Sequence, residues 1–306
     1  MQKIIDKRRR HNSENLGWRM RCFPYFFLIG FTKCGTTDLF TALSYIPDVI
    51  RPLTKEPRFW QKFRFTEHIK KDGGSLPRPT LSDYLDTFDE AAEQIRQYTI
   101  KTEDGFVYHP GVVGDLDPKT IWCYPNWISI KANKNTYEPR VLSHYQFFAH
   151  KKKFTVQPDE FHHSVERFIL GLQTCFKKKS IRSCVYQGLV YSKEATTNLK
   201  RSIIGSLYYV FIKEWLRVFP KEQFLFMKSE DYFNNRTAAV VEILDFLKLN
   251  KSIPDVALIR IQNLNIVNPS AKVGFLEITR TLLQNFLQPF NEKLVTLLRN
   301  DQWVWH

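Results

Sequence analysis

The stretch YFFLIGFTKCGTTDLFTAL (Tyr25–Leu43) constrains the chain more than any other. An apolar run ends at Gly30, a short polar loop holds one lysine, and Leu39, Phe40 and Leu43 then recur at helical spacing. The pattern predicts a buried strand over Tyr25–Ile29, a loop, and a helix over Thr36–Ile46. Gly30 and Gly35 stand at the G-x-x-x-x-G spacing of a phosphate-binding loop. Gly30 permits the turn out of the strand and Gly35 a close backbone approach. The amides of Lys33 to Thr37 then converge on an anion at the positive end of the helix. Nucleoside triphosphatases place their lysine directly after the second glycine. Here Lys33 lies inside the loop and Thr36-Thr37 follow the glycine, which argues against an ATPase or GTPase.

Further along, strands and helices alternate. Gly111–Pro118 (GVVGDLDP) reads as a short strand ending in acidic turn residues, and Gln223–Asp231 as another strand. Helices are predicted over Thr80–Tyr98, with Leu81 or Ser82 near the cap, and over Asp159–Phe176, Thr196–Pro220 and Ala238–Leu249. A further helix over Glu277–Asn300 is expected to break at Pro289. Such alternation predicts an α/β fold with a P-loop-like, largely parallel central sheet flanked by helices. Residues 1–22 read as a mobile basic lead-in and 23–306 as a single domain.

The chain has 306 residues, 43% of them hydrophobic and 15% aromatic, enough for a sizeable core, and its net charge is +14. That balance favours anionic partners without ranking them. No nucleic-acid recognition motif is found. No apolar stretch reaches the roughly 20 residues of a membrane span, and no apolar segment follows the N-terminal basic cluster, so it is not a signal peptide. Either the protein is soluble as written or an anchor lies outside this chain. The five cysteines form no CxxC pattern. Cys175 and Cys184 bracket a short basic loop, and their spacing suits a disulfide or two reduced thiols equally. His162 and His163 read as a surface pair, since neighbouring helix positions face apart.

FFLIGFTKCGTTDLF resembles the 5′-phosphosulfate loop of sulfotransferases that use 3′-phosphoadenosine 5′-phosphosulfate (PAPS). The resemblance is to Golgi carbohydrate sulfotransferases of the N-acetylgalactosamine 4-sulfate 6-O-sulfotransferase type. It continues through KEPRFW (Lys55–Trp60), RVLSHYQFF (Arg140–Phe148), CFKKKSIRSCVY (Cys175–Tyr186) and LYYVFIKEWLRVFPKEQFLFMKSED (Leu207–Asp231). It implies a sulfotransferase fold, PAPS as co-substrate, no metal, a polyanionic glycan acceptor such as chondroitin or dermatan sulfate, and the Golgi lumen.

The resemblance also implies roles. Lys33 contacts the 5′-phosphate and bridging oxygen. Gly30, Thr32, Cys34, Gly35, Thr36 and Thr37 complete the cofactor loop, where the family tolerates cysteine and Cys34 also packs. Glu56 matches the catalytic glutamate and takes the hydroxyl proton. Arg58 stands where close relatives carry histidine, and Asp115 where the family has glutamate, to hold the acceptor, orient Lys33 or cap its turn. Arg140 and Ser143 are assigned to the 3′-phosphate, with Lys272 and Gly274 nearby. Relatives bridge the two cysteines spaced like Cys175 and Cys184.

The match departs in one place. Asn135, eight positions before Ser143, stands where the family has an anchor arginine. Ser129–Tyr137 is polar and lysine-rich, so the fold is expected to lack one central strand. That departure supports a second reading, a catalytically impaired relative that only binds nucleotide or sulfated glycan.

Overall fold

The computed structural model describes residues 19–30, 34–60, 68–69, 75–76, 79–118, 128–131, 157–190, 196–265, 276–300 and 303. In chain order it runs β1 (Phe26–Gly30), α1 (Thr36–Leu43), β2 (Val49–Ile50), β3 (His68–Ile69), β4 (Ser75–Leu76) and α2 (Leu81–Leu85). After a 3-10 turn at Asp86–Phe88 come α3 (Asp89–Gln97), β5 (Ile100–Lys101), β6 (Val107–Tyr108), β7 (Val112–Asp115) and β8 (Ile128–Lys131). Next are α4 (Pro158–Lys178), α5 (Ile181–Val190), α6 (Thr196–Gly205) and α7 (Tyr208–Leu216). Then follow β9 (Leu225–Lys228), α8 (Ser229–Asn234), α9 (Arg236–Phe246), α10 (Asp255–Gln262) and α11 (Glu277–Leu298). These elements group into two compact units. One takes its described residues from 1–30, 35–131 and 222–267, the other from 31–34, 132–221 and 268–306.

The first unit is built on a parallel sheet in the order β2-β7-β1-β8-β9. β1 is buried along its whole length, as an unbroken apolar run in a covered parallel strand should be. Helices α1 and α3 pack on the strands, and α8 continues from β9. The expectation of a missing central strand is corrected here. β8 lies between β1 and β9, with Leu28 opposite Ile128 and Ile130 opposite Met227. A ladder is made by main-chain groups that every residue but proline possesses, so a polar sequence can still complete it.

Other boundaries shift for local reasons. The helix predicted over Thr80–Tyr98 starts at Leu81, and its cap is Thr80, one residue before the expected Leu81 or Ser82, through a reciprocal box. Asp83 N–H donates to Thr80 Oγ1 at 3.1 Å, and Thr80 N–H donates to Asp83 Oδ2 at 2.8 Å. It then tightens into the 3-10 turn, where Thr87 Oγ1 donates to the Tyr84 carbonyl at 2.7 Å. Arg19 and Arg21, within the stretch read as a mobile lead-in, are bonded into this region. Arg19 pairs with Asp86 at 2.8 Å and Asp89 at 2.6 Å, and Arg21 pairs with Asp86.

Gly114 of β7 leaves room for its neighbour. A Cβ built there would lie 2.4 Å from the ring of Phe26, its partner on β1. Gly114→Ala should lower stability by about 1–3 kcal/mol, the usual toll of overpacking a filled core, measurable by urea unfolding.

The second unit is helical among the described residues. α4 buries Phe161, Val165, Ile169 and Leu172 and packs on α11, which buries Leu283, Phe286, Leu287, Phe290 and Leu294. α11 runs through Pro289 without the expected break. The helix predicted over Thr196–Pro220 is two: it stops at Ser206-Leu207, where Ser206 Oγ donates back to the Ser202 carbonyl at 3.0 Å. Cys175 and Cys184 form a disulfide joining the end of α4 to α5, their Cα atoms 5.9 Å apart. No helix among the described residues is long and apolar enough to cross a membrane.

Candidate active site

The site begins where β1 stops at Gly30 and α1 starts after Gly35. Gly35 has φ 85° and ψ 5°, a left-handed conformation that glycine adopts freely. A Cβ there would also meet the Phe233 ring at 3.0 Å. The residue is therefore required twice over, by backbone conformation and by packing. Its carbonyl accepts the first helical bond, from Leu39 N–H at 3.0 Å, and no side chain caps α1. Thr36, Thr37 and Asp38 occupy the first turn, whose amides have no partner within the helix. Thr36 is buried and Thr37 half-buried. This is the arrangement that receives an anion.

A carboxylate in that turn would oppose an anion, and Asp38 stands in it. The structure answers the conflict. Asp38 is fully buried and accepts hydrogen bonds from Tyr232 Oη at 2.6 Å, Arg236 Nε at 3.0 Å and Arg236 Nη2 at 3.3 Å. Its charge is matched by a guanidinium, and α1 is tied to α8 and α9. Burial, with the bond to Asp38 next, pushes the Tyr232 hydroxyl far above its ordinary range, so it stays a donor.

Glu56 follows β2 in a stretch without regular structure. Lys55 Nζ lies 2.8 Å from Glu56 Oε1, and the Glu56 side chain is 28% exposed. Arg58, two residues on, is exposed with φ 58°, an uncommon left-handed conformation for a residue with a Cβ. Phe59 is buried and stacks on Tyr84 with ring centroids 4.5 Å apart.

Asp115 ends β7, whose neighbour in the sheet is β1, with Asp115 opposite Phe27. It is buried. Its Oδ2 accepts from Tyr84 Oη at 2.7 Å and its Oδ1 from Asp117 N–H at 3.1 Å. The second bond makes it a turn cap, one of the roles expected for it. Burial above all, then repulsion from Asp117 and more weakly from Glu56, pushes its carboxyl up to about 8, against the Tyr84 and Asp117 hydrogen bonds. Gly30, Gly35 and Asp115 thus lie at the carboxyl edge of a parallel sheet, where α/β folds place their ligands, and the charge of Glu56 reaches Asp115 there.

Of the other expected residues, Cys34 is buried. Thr32, Lys33, Arg140, Ser143, Lys272 and Gly274 lie outside the described residues. His162 Nδ1 is 2.9 Å from Thr279 Oγ1, a packing role. Among the described residues no His, Cys, Asp and Glu cluster is arranged to hold a metal. Sequence reading missed Tyr84, Asp38, Tyr232 and Arg236. Only an acid directly after Thr36-Thr37, in a turn built for anions, hinted at a hidden cation.

A family model for the sulfotransferase domain matches residues 24–272. The chain belongs to the sulfotransferase domain family. This sulfotransferase domain is 29% identical to carbohydrate sulfotransferase 15 of Rattus norvegicus, and equally to that of Homo sapiens, over 94% of its length and 55% of theirs. The chain thus spans about half the length of those curated relatives. A shorter match, 31% identical over 152 residues, covers 46% of this chain and 88% of carbohydrate sulfotransferase 15 of Nototodarus sloanii. A sulfotransferase structure from Alicyclobacillus acidocaldarius superposes with a TM-score of 0.56 at 20% identity, covering 92% of this chain and 99% of that one. That likeness establishes the fold.

Proposed function

We propose that this chain moves a sulfuryl group from PAPS to a hydroxyl of a carbohydrate, with a sulfated glycosaminoglycan such as chondroitin or dermatan sulfate as acceptor. The observation that carries the reading is the uncapped, glycine-led turn of α1 at the carboxyl edge of the sheet, the edge at which Asp115 feels the Glu56 charge. Backbone amides of Gly35, Thr36 and Thr37 would hold the 5′-phosphosulfate, with Gly30, Thr32, Lys33 and Cys34 completing the loop. Arg140 and Ser143, with Lys272 and Gly274, are assigned to the 3′-phosphate side by resemblance. The names of the relatives support a glycan acceptor, and a net charge of +14 suits a polyanion.

The transfer is a displacement at sulfur. An acceptor hydroxyl oxygen bonds to sulfur, Glu56 takes its proton, and the sulfur–oxygen bond to the 5′-phosphate breaks with its electrons leaving on phosphate. Lys33 would neutralise the charge that develops there. The disulfide accords with an oxidising compartment such as the Golgi lumen.

Labelled PAPS and a glycosaminoglycan panel test the reading. Wild-type protein should sulfate at least one chain, and Glu56→Gln should lose about a hundredfold or more in kcat, the span of general base catalysis. Equal activity of the two would remove Glu56 from the mechanism. Saturable binding of 3′,5′-ADP without transfer to any glycan would select the impaired, binding-only reading.

A further inference from the structure

The stretch carrying Glu56 has no strand or helix to hold it, since residues 51–60 are irregular. What holds it is Tyr84. The tyrosine is wholly buried in α2, and its hydroxyl donates to Asp115 at 2.7 Å. The Trp60 ring meets Tyr84 edge-on at 5.5 Å, and the Phe59 ring stacks on it at 4.5 Å. Phe59 and Trp60 are the third and fourth residues after Glu56. Ring packing and hydrogen bonding therefore connect the end of the Glu56 stretch, through Phe59 and Trp60 to the Tyr84 phenol, with the Asp115 carboxyl and the Asp117 amide.

The groups that face Asp115 are Tyr84 from α2, Asp117 from the turn after β7, and Glu56 from the stretch after β2, the last paired with Lys55. Asp115 is thus bonded to the anchor of the stretch, and the carboxylate the stretch carries opposes its ionisation. Phe88 closes the far side of the phenol, its ring centroid 5.2 Å from that of Tyr84. The phenol is buried among Phe59, Trp60 and Phe88, and its contacts with the first two hold the chain beyond Glu56.

We infer that Tyr84 is a positioning residue for Glu56, locking Phe59 and Trp60 to the end of β7 through its bond to Asp115. The inference rests on the reading of Glu56 as the proton acceptor, and it makes a further claim of its own about what fixes that stretch. Tyr84→Phe keeps the ring stack and deletes the hydroxyl. In amide hydrogen exchange, residues 53–60 of the variant should exchange about tenfold faster or more, as loss of one buried bond to a carboxyl implies, while β1 and α9 keep their protection. In the sulfotransfer assay kcat should fall by about tenfold with KM for PAPS unchanged.

Unchanged exchange at 53–60, or faster exchange there with kcat unaltered, would overturn the inference. So would a rise spread evenly over the chain, which marks general destabilisation. Exchange needs no turnover, so wild-type protein that transfers no sulfate would defeat the functional reading and leave the positioning decided. Should Tyr84→Phe fail to fold, Trp60→Leu removes the edge-on ring contact at the other end and should raise exchange over 53–60 and lower kcat in the same way.

Discussion

Arg236→Met should lower the free energy of unfolding by about 3–5 kcal/mol, the usual consequence of stranding one partner of a buried pair. Asp38 has no solvent contact and depends on three donors, two of them from Arg236. The guanidinium is itself nearly enclosed, its side chain 14% exposed, and lies 5.4 Å over the Phe233 ring. Methionine fills most of that volume and adapts its shape, so lost packing contributes little. What is lost is the countercharge. The carboxylate, which no water reaches, would keep the Tyr232 hydroxyl but lose the guanidinium. Asp38→Asn in the same chain should return most of the deficit, because a neutral amide leaves no charge unpaired. Urea unfolding followed by circular dichroism gives both values. A single-variant loss well under 1 kcal/mol would mean that Asp38 is solvated and the pair ornamental.

A second large effect concerns pH. In the fold Asp115 keeps its proton up to about pH 8, because burial, Asp117 and Glu56 oppose its charge. Unfolded, it releases that proton near the ordinary value of 3.8. Between these limits the native state binds one proton more than the unfolded state, so stability declines as pH rises. The contribution is complete below the lower limit and gone above the upper one. At about 1.4 kcal/mol per pH unit, the total is on the order of 5 kcal/mol. Asp115→Asn is neutral throughout and can still accept the Tyr84 and Asp117 bonds. It should match wild type at pH 4 and exceed it at pH 8 by that amount. Parallel stability–pH curves for the two proteins would refute the assignment.

The portions of the fold that were legible share one trait: their signal is local. The run Phe26–Gly30 is apolar on both faces because it is buried on both, and the spacing of Val165, Ile169 and Leu172 repeats the helix that they seal. Gly35 was legible because a left-handed residue leaves so few alternatives. The illegible portions depend on distant partners. Nothing in Ile128–Lys131 announces a central strand, since its place is given by ladders from β1 and β9. Pro289 looks like a terminator, yet α11 continues past it while buried against α4 and α7. Tyr84 reads as an ordinary helix residue. Only the fold brings it to Asp115, thirty-one positions away, and to the aromatic pair that ends the Glu56 stretch.

The bond between Cys175 and Cys184 bears on manufacture as much as on shape. Sulfur bridges endure where thiols are kept oxidised, and cytosolic glutathione would leave this one open. The turn would then forgo the ~2.5 kcal/mol that closing so short a ring contributes. Lys177, Lys178, Lys179 and Arg182 are exposed on that turn. The route of biosynthesis, as well as the gene, thus decides how firmly four surface cations are arrayed.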